Sequence, residues 1–244
     1  EAPGVSAIEL VVVLAIVVGI FFLWNARTNA SAQAALAKAI ETAEAPISNN
    51  PVPAGSTTKQ FKTAKERSQA AIPEFQAVVD QFGGAVADKA KYFIAVNQLN
   101  LDPAVGIQEL EALTGNSGEV GSMAKFALAQ IRAEDGKPDE AVTLYKELAA
   151  ASNPVVPKDT VNFELAKIYE KQGKKQEAVD LLFSMVKAAS ETKDLDGKPI
   201  TLSSSAQAAK DKLKELDPEK AKEIPEPAAP EVPDLGQTQQ INVP

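Results

Sequence analysis

The chain has 244 residues, a formal net charge of −8, 45% hydrophobic and only 5% aromatic residues, and neither cysteine nor histidine. Those absences exclude disulfides, thiol nucleophiles, Ser–His or Cys–His catalysis and the common zinc sites. The acidic balance argues against nucleic acid, whose phosphates are held by Lys and Arg. The length allows one or two domains with a real core. The prevalence of Ala, Leu, Lys and Glu favours an all-α fold over a β-sandwich.

The first predicted element is apolar. From Leu10 to Ala26 no residue is charged. As a helix this run rises about 25 Å, against about 30 Å of hydrocarbon core, and Val5–Ile8 complete a span. One acid, Glu9, sits at its start. A carboxylate at the membrane centre is unfavourable by roughly 2.5–3.5 kcal/mol, so such acids are functional suspects. In the first turn the helix dipole favours it.

Ile8-Glu9-Leu10 followed by the Val11–Ile20 run resembles the N-terminal helix of type IV pilins and pseudopilins, over about the first 25 residues. The resemblance implies that Gly4 marks a processing site and that Glu9 neutralises the N-terminal amine of a neighbouring subunit. It also implies that Ile8, Leu10, Val13, Ile16, Val17, Ile20 and Phe21 pack a filament core. Two features depart from the family. Val5 stands where Phe or Met is preferred, and Glu1-Ala2-Pro3-Gly4 is still present. The basic flank that usually precedes a spanning helix is absent, so a removed leader carrying Lys or Arg is expected. Read instead as a plain membrane anchor, the same run places Glu9 among the headgroups.

The helix is predicted to continue past Trp24. Residues 27–45 contain no Gly or Pro, with Leu36 and Ile40 one turn apart and Ala32, Ala35, Ala39 and Ala43 on or near that face. Small residues on one face favour close helix approach. One long helix from about Val5 to Ala45 follows, defining residues 1–45 as a filament-core or membrane unit. Pro46 stops it, and 46–58 read as a linker.

From Lys59 the chain repeats. Gly136-Lys137-Pro138-Asp139-Glu140-Ala141-Val142-Thr143-Leu144-Tyr145 and Gly173-Lys174-Lys175-Gln176-Glu177-Ala178-Val179-Asp180-Leu181-Leu182 each join a turn to a small residue and a large one four positions later. This resembles the second helix of tetratricopeptide repeats (TPRs), which recur about every 34 residues. The two alanines are 37 residues apart, which places an insertion at Val155-Val156-Pro157. Ala71–Phe75 and Ala104–Ile107 occupy matching places upstream. Phe163-Glu164-Leu165-Ala166-Lys167-Ile168-Tyr169 resembles the first helix of a TPR pair. Phe126–Ala129 and the set Ala90, Tyr92, Phe93 and Ala95 are its weaker counterparts. Phe75, Tyr92, Ala141, Tyr145, Leu165, Ala166, Tyr169 and Ala178 are therefore expected to pack stacked helices rather than hold a ligand. A TPR-like helical solenoid is predicted over 59–216, with Ala104–Leu113 its shortest helix.

The last segment, 217–244, is acidic, holds six prolines and has no aromatic residue. It is predicted to be an extended tail, mobile in isolation and ordered against a neighbour in an assembly. Asn29-Ala30-Ser31 fits the N-glycosylation acceptor pattern, and Ser203-Ser204-Ser205 reads as a helix cap. No catalytic, cofactor or metal constellation stands out, and an enzyme is not expected. The pattern points to a structural subunit of an extracellular pilus-like filament. It would polymerise with itself and display TPRs to peptide, protein or surface ligands after passing through the inner membrane. The alternative is a single-pass, inner-membrane-anchored periplasmic TPR adaptor or chaperone-like envelope protein.

Overall fold

The computed structural model describes residues 28–50, 59–195, 197 and 200–224. The pilin-like residues Gly4, Ile8, Glu9, Leu10, Val13, Ile16, Val17, Ile20 and Phe21 lie outside these, as does the part of the long helix expected before residue 28. Among the described residues no helix is long and apolar enough to cross a membrane.

The chain divides into two compact units between Asp135 and Gly136. The first contains α1 (28–43), α2 (Ala64–Gln81), α3 (Gly84–Gln98), α4 (Pro103–Leu113) and α5 (Glu119–Glu134). The second contains α6 (Pro138–Ala149), α7 (Lys158–Lys171), α8 (Lys175–Glu191), α9 (Ser204–Leu216) and α10 (Pro218–Lys222). Within each unit successive helices pack on one another from α2 to α5 and from α6 to α10. In addition, α3 reaches α5 and α7 reaches α9. Contact with the next helix and the next but one is how a helical repeat buries faces that no single pair can cover.

The helix ends follow local chemistry. Thr63 caps α2 by accepting from the Glu66 N–H, while the Glu66 carboxylate accepts from the Lys62 N–H at 3.0 Å. This closely resembles a capping box. Asp102, Ser203 and Asp217 cap α4, α9 and α10 in the same way, and Pro103 and Pro218 open α4 and α10 where a missing N–H is harmless. Gly173, at φ +74°, ends α7 in a left-handed turn, and the Lys174 N–H reaches back to the Tyr169 carbonyl at 2.9 Å. Gly136 repeats the conformation at φ +73° after α5. A side chain at either position would strain the turn that sends the next helix back.

The core is set by one recurring pair. Ala71 and Phe75 in α2, Leu110 in α4, Ala141 and Tyr145 in α6, and Ala178 and Leu182 in α8 are all no more than 1% exposed, and Gly106 in α4 is likewise buried. Three residues beyond each large side chain, Val78, Leu113, Leu148 and Met185 are also buried. This corrects the register expected for α4. Ala104 is exposed, and the small residue at the crossing is Gly106. A Cβ there would lie 2.7 Å from the Leu99 nitrogen and 2.9 Å from the Ala95 oxygen, so only glycine admits this approach.

Both ends of the expected TPR segment are also corrected. In α1, Ala32, Leu36 and Ala39 are buried in one cluster with Ala71, Phe75, Val78, Val86 and Ala90 of α2 and α3. Residues 28–43 thus supply the first helix of the first pair rather than part of a separate N-terminal unit. The start of the expected linker is pinned as well. The Phe61 N–H donates to the Pro46 carbonyl at 3.0 Å and the Ser48 N–H to the Phe61 carbonyl at 2.9 Å. At the other end, Asp217 opens α10 rather than an extended tail. Ala221 and Ile224 join Val179, Leu182, Val186, Ala209 and Leu213 in the second unit's core.

A fragment of residues 28–224 should therefore melt cooperatively and well above one of residues 59–216, which uncovers Phe75 and Leu213 together. Equal melting temperatures by circular dichroism would remove α1 and α10 from the core. In the full chain, Ala178→Asp should destabilise by about 3 kcal/mol or more by burying an unpaired carboxylate. Gly106→Ala should cost about 1–3 kcal/mol by overpacking. Urea denaturation checks both.

Candidate functional site

The residues expected to pack the repeats are placed as follows. Phe75, Ala141, Tyr145, Leu165, Ala166 and Ala178 are at most 5% exposed. Tyr92 and Tyr169 are half-buried. Phe75 stacks on Phe93 with ring centroids 5.1 Å apart, and Tyr92 meets Phe93 edge-on at 5.5 Å. Burial pushes the Tyr92 phenol above its usual value. Tyr169 presents its ring to two ammonium groups, Lys146 at 5.9 Å and Lys174 at 5.8 Å from the centroid. Aromatic groups thus serve the core first and reach the surface under lysines.

Two polar networks fasten the first unit. The Ser68 hydroxyl donates to Asn97 Oδ1 at 3.0 Å and accepts from Asn100 Nδ2 at 3.0 Å. Asn97 Nδ2 donates to the Phe93 carbonyl at 2.8 Å. Ser68 and Asn97 are buried, so their bonds fix the register of α2 on α3. In the second network the Thr42 hydroxyl and the Lys59 ammonium both donate to the Glu74 carboxylate, each at 2.8 Å. They join α1, the segment before α2, and α2. Burial opposes ionisation of Glu74, but the Lys59 and Thr42 donors outweigh it and hold its carboxyl below the usual value. Sequence reasoning missed both networks, because Ser, Thr and Asn on a helix face carry no periodic signal.

A shallow cleft of about 250 Å³ opens among Gln76, Lys91, Ile94, Glu109, Ala112 and Leu113. Glu109 has one buried oxygen without a hydrogen-bond partner, and burial raises its pKa. In the second unit, Lys212 bridges Glu170 at 2.9 Å and Glu215 at 3.1 Å, and Lys220 pairs with Asp180. Lys212 and Lys220 are both held above the usual lysine value by their carboxylate partners. Exposed pairs of this kind contribute little stability. Among the described residues no group of three or more acids is placed to hold a metal ion.

No family model matches the chain, nor does any curated protein sequence. Two solved structures are similar to it, both of a Podosopora anserina kinesin light chain protein with nearly identical TPR-like repeats. One is 21% identical with a TM-score of 0.47, covering 65% of this chain and 84% of that one. The other, a variant of the same protein, is 18% identical with a TM-score of 0.48 and the same coverage. Identities this low carry no statement about function.

The Glu74 network has a pH signature. A carboxyl whose folded pKa is depressed contributes stability above its ordinary value, near 4.5, and loses that contribution as pH falls through the folded value. Glu74→Gln should therefore lower the melting temperature at pH 7, by an amount that shrinks progressively as pH falls below about 4.5. A difference independent of pH would place the effect in packing rather than charge.

Proposed function

We propose that this chain is a structural interaction protein whose TPR-like helix pairs are carried on a self-assembled filament. Its chemistry supports a scaffold. The small–large pairs at Ala71/Phe75, Gly106/Leu110, Ala141/Tyr145 and Ala178/Leu182 use the aromatic and apolar residues for helix crossings, while ion pairs such as Lys91–Asp88 and Lys222–Glu219 lie on the exposed faces. Helical repeats of this kind present continuous faces to peptide or protein partners.

The filament part of the reading rests on residues 5–25, where Ile8-Glu9-Leu10 and the Val/Ile run resemble type IV pilins. One structural observation supports display from such a core. Ala32, Leu36 and Ala39 of residues 28–43 are packed into the first repeat's core. A helix so anchored would transmit the position of an N-terminal assembly segment to the repeats. Glu9 would then need a cationic partner inside an apolar core.

Electron microscopy of material sheared from the cell surface tests the proposal. Fibres containing this chain are expected, and recovery only in the membrane fraction would instead support the anchored periplasmic adaptor. Glu9→Ala should reduce fibre yield at least tenfold, the effect of about 1.4 kcal/mol or more on assembly, while leaving the helical circular dichroism unchanged. Normal fibre yield from that variant would remove Glu9 from the mechanism.

A further inference from the structure

We propose that the cleft formed by α2, α3 and α4 in the first unit is a docking site for a lysine side chain of a partner protein. Glu109 marks the site. One of its carboxylate oxygens, Oε2, is buried without a hydrogen-bond partner in the protein. Buried polar groups are nearly always paired, so an orphaned acid in a cleft wall calls for a physical reason. The other polar side chains of the cleft do not serve it. Lys91 pairs with Asp88 at 3.1 Å, and Gln76 Nε2 donates to Asp80 at 2.8 Å. Both are thus engaged by carboxylates of their own helices.

This arrangement selects the charge of the occupant. Glu109 in the cleft, with Asp80 and Asp88 each one hydrogen bond from a lining residue, sets three carboxylates against the single ammonium of Lys91. An anion would be repelled. A neutral apolar group would take more water from a carboxylate whose charge burial already disfavours. A cation in the cleft would instead stabilise the ionised form. A metal ion is a poor fit, because hard cations take about six or more oxygen ligands. Among the described residues no group of three or more acids is placed to supply them.

The walls select its shape. Ile94, Ala112 and Leu113 line the cleft with apolar surface, which suits an aliphatic stem carrying its charge at the far end. The 250 Å³ is the space of about eight waters at ~30 Å³ each, room for one such side chain. With Oε2 buried, the carboxylate offers a single oxygen to an incoming group. That suits the point charge of an ammonium, whereas a guanidinium binds best through two parallel hydrogen bonds. The assignment rests on the reading of this chain as an interaction protein, and it is independent of the filament.

Methyl NMR of the full chain, labelled at isoleucine and leucine, tests it with the blocked tripeptide acetyl-Ala-Lys-Ala-amide as probe. At about millimolar peptide, Ile94 and Leu113 should shift while Leu182 and Leu213 of the second unit stay in place. Replacing the probe's lysine by norleucine, which keeps the stem and removes the ammonium, should weaken binding about fivefold, the upper range for an exposed ion pair. Glu109→Gln should weaken the lysine probe by the same factor and leave the norleucine probe unaffected. Equal binding of the two probes by the unmodified chain overturns the proposal. So does unchanged lysine binding in Glu109→Gln, or shifts confined to methyls outside the cleft. An acetyl-Ala-Arg-Ala-amide probe that binds as tightly overturns the choice of lysine. Fibre yield reports the assembly reading and these methyls report the cleft, so either can fail alone.

Discussion

The fold depends on how closely one helix can approach another at a single point. Ala71, Gly106, Ala141 and Ala178 place at most a methyl group at that point, and a large apolar residue one turn later fills the space beside it. Close approach removes apolar area from water on both helices, worth roughly 25 cal/mol per Å². It also leaves no room for compromise. At Gly106 the Leu99 and Ala95 backbone atoms already stand where a Cβ would go. The left-handed glycines at 136 and 173 serve the same end by turning the chain back within a few residues.

A stack of helix pairs must also cover its outermost apolar faces. In the first unit α1 does so with alanines and one leucine, which allow it to lie close over Phe75 and Val86. In the second, α10 is only five residues long, yet Ala221 and Ile224 close the cluster around Val186 and Leu213. Polar groups then fix what apolar contact leaves free to slide. Ser68 and Asn97 set the register between α2 and α3. Thr42, Lys59 and Glu74 tie α1 to the segment that enters α2. Apolar contact is non-directional, whereas a buried hydrogen bond tolerates little displacement.

Charge is spread along the helix surfaces. Lys212 bridges Glu170 and Glu215, Lys89 meets Glu119, and Arg132 meets Glu111. Exposed pairs of this kind contribute little stability.

Much of the repeat was legible because its signals are local. The Gly136 and Gly173 turns, the alanine and the large residue four positions on, and the cap at Ser203 each depend on a few neighbouring residues. The membership of α1 was not legible. A helix face of Ala32, Leu36 and Ala39 suits a filament core as well as a repeat, and the connection to α2 breaks the repeat spacing. Nor could the chain alone decide between Ala104 and Gly106, both small, or whether Pro218 ends a fold or starts a helix. The sequence by itself determined most of the repeat's helices, where they turn and how often the pattern recurs, because those depend on backbone freedom and spacing. Only the tertiary structure decided which small residue sits at a crossing and which helix covers an open face. Those outcomes depend on what stands opposite, and that partner is distant along the chain.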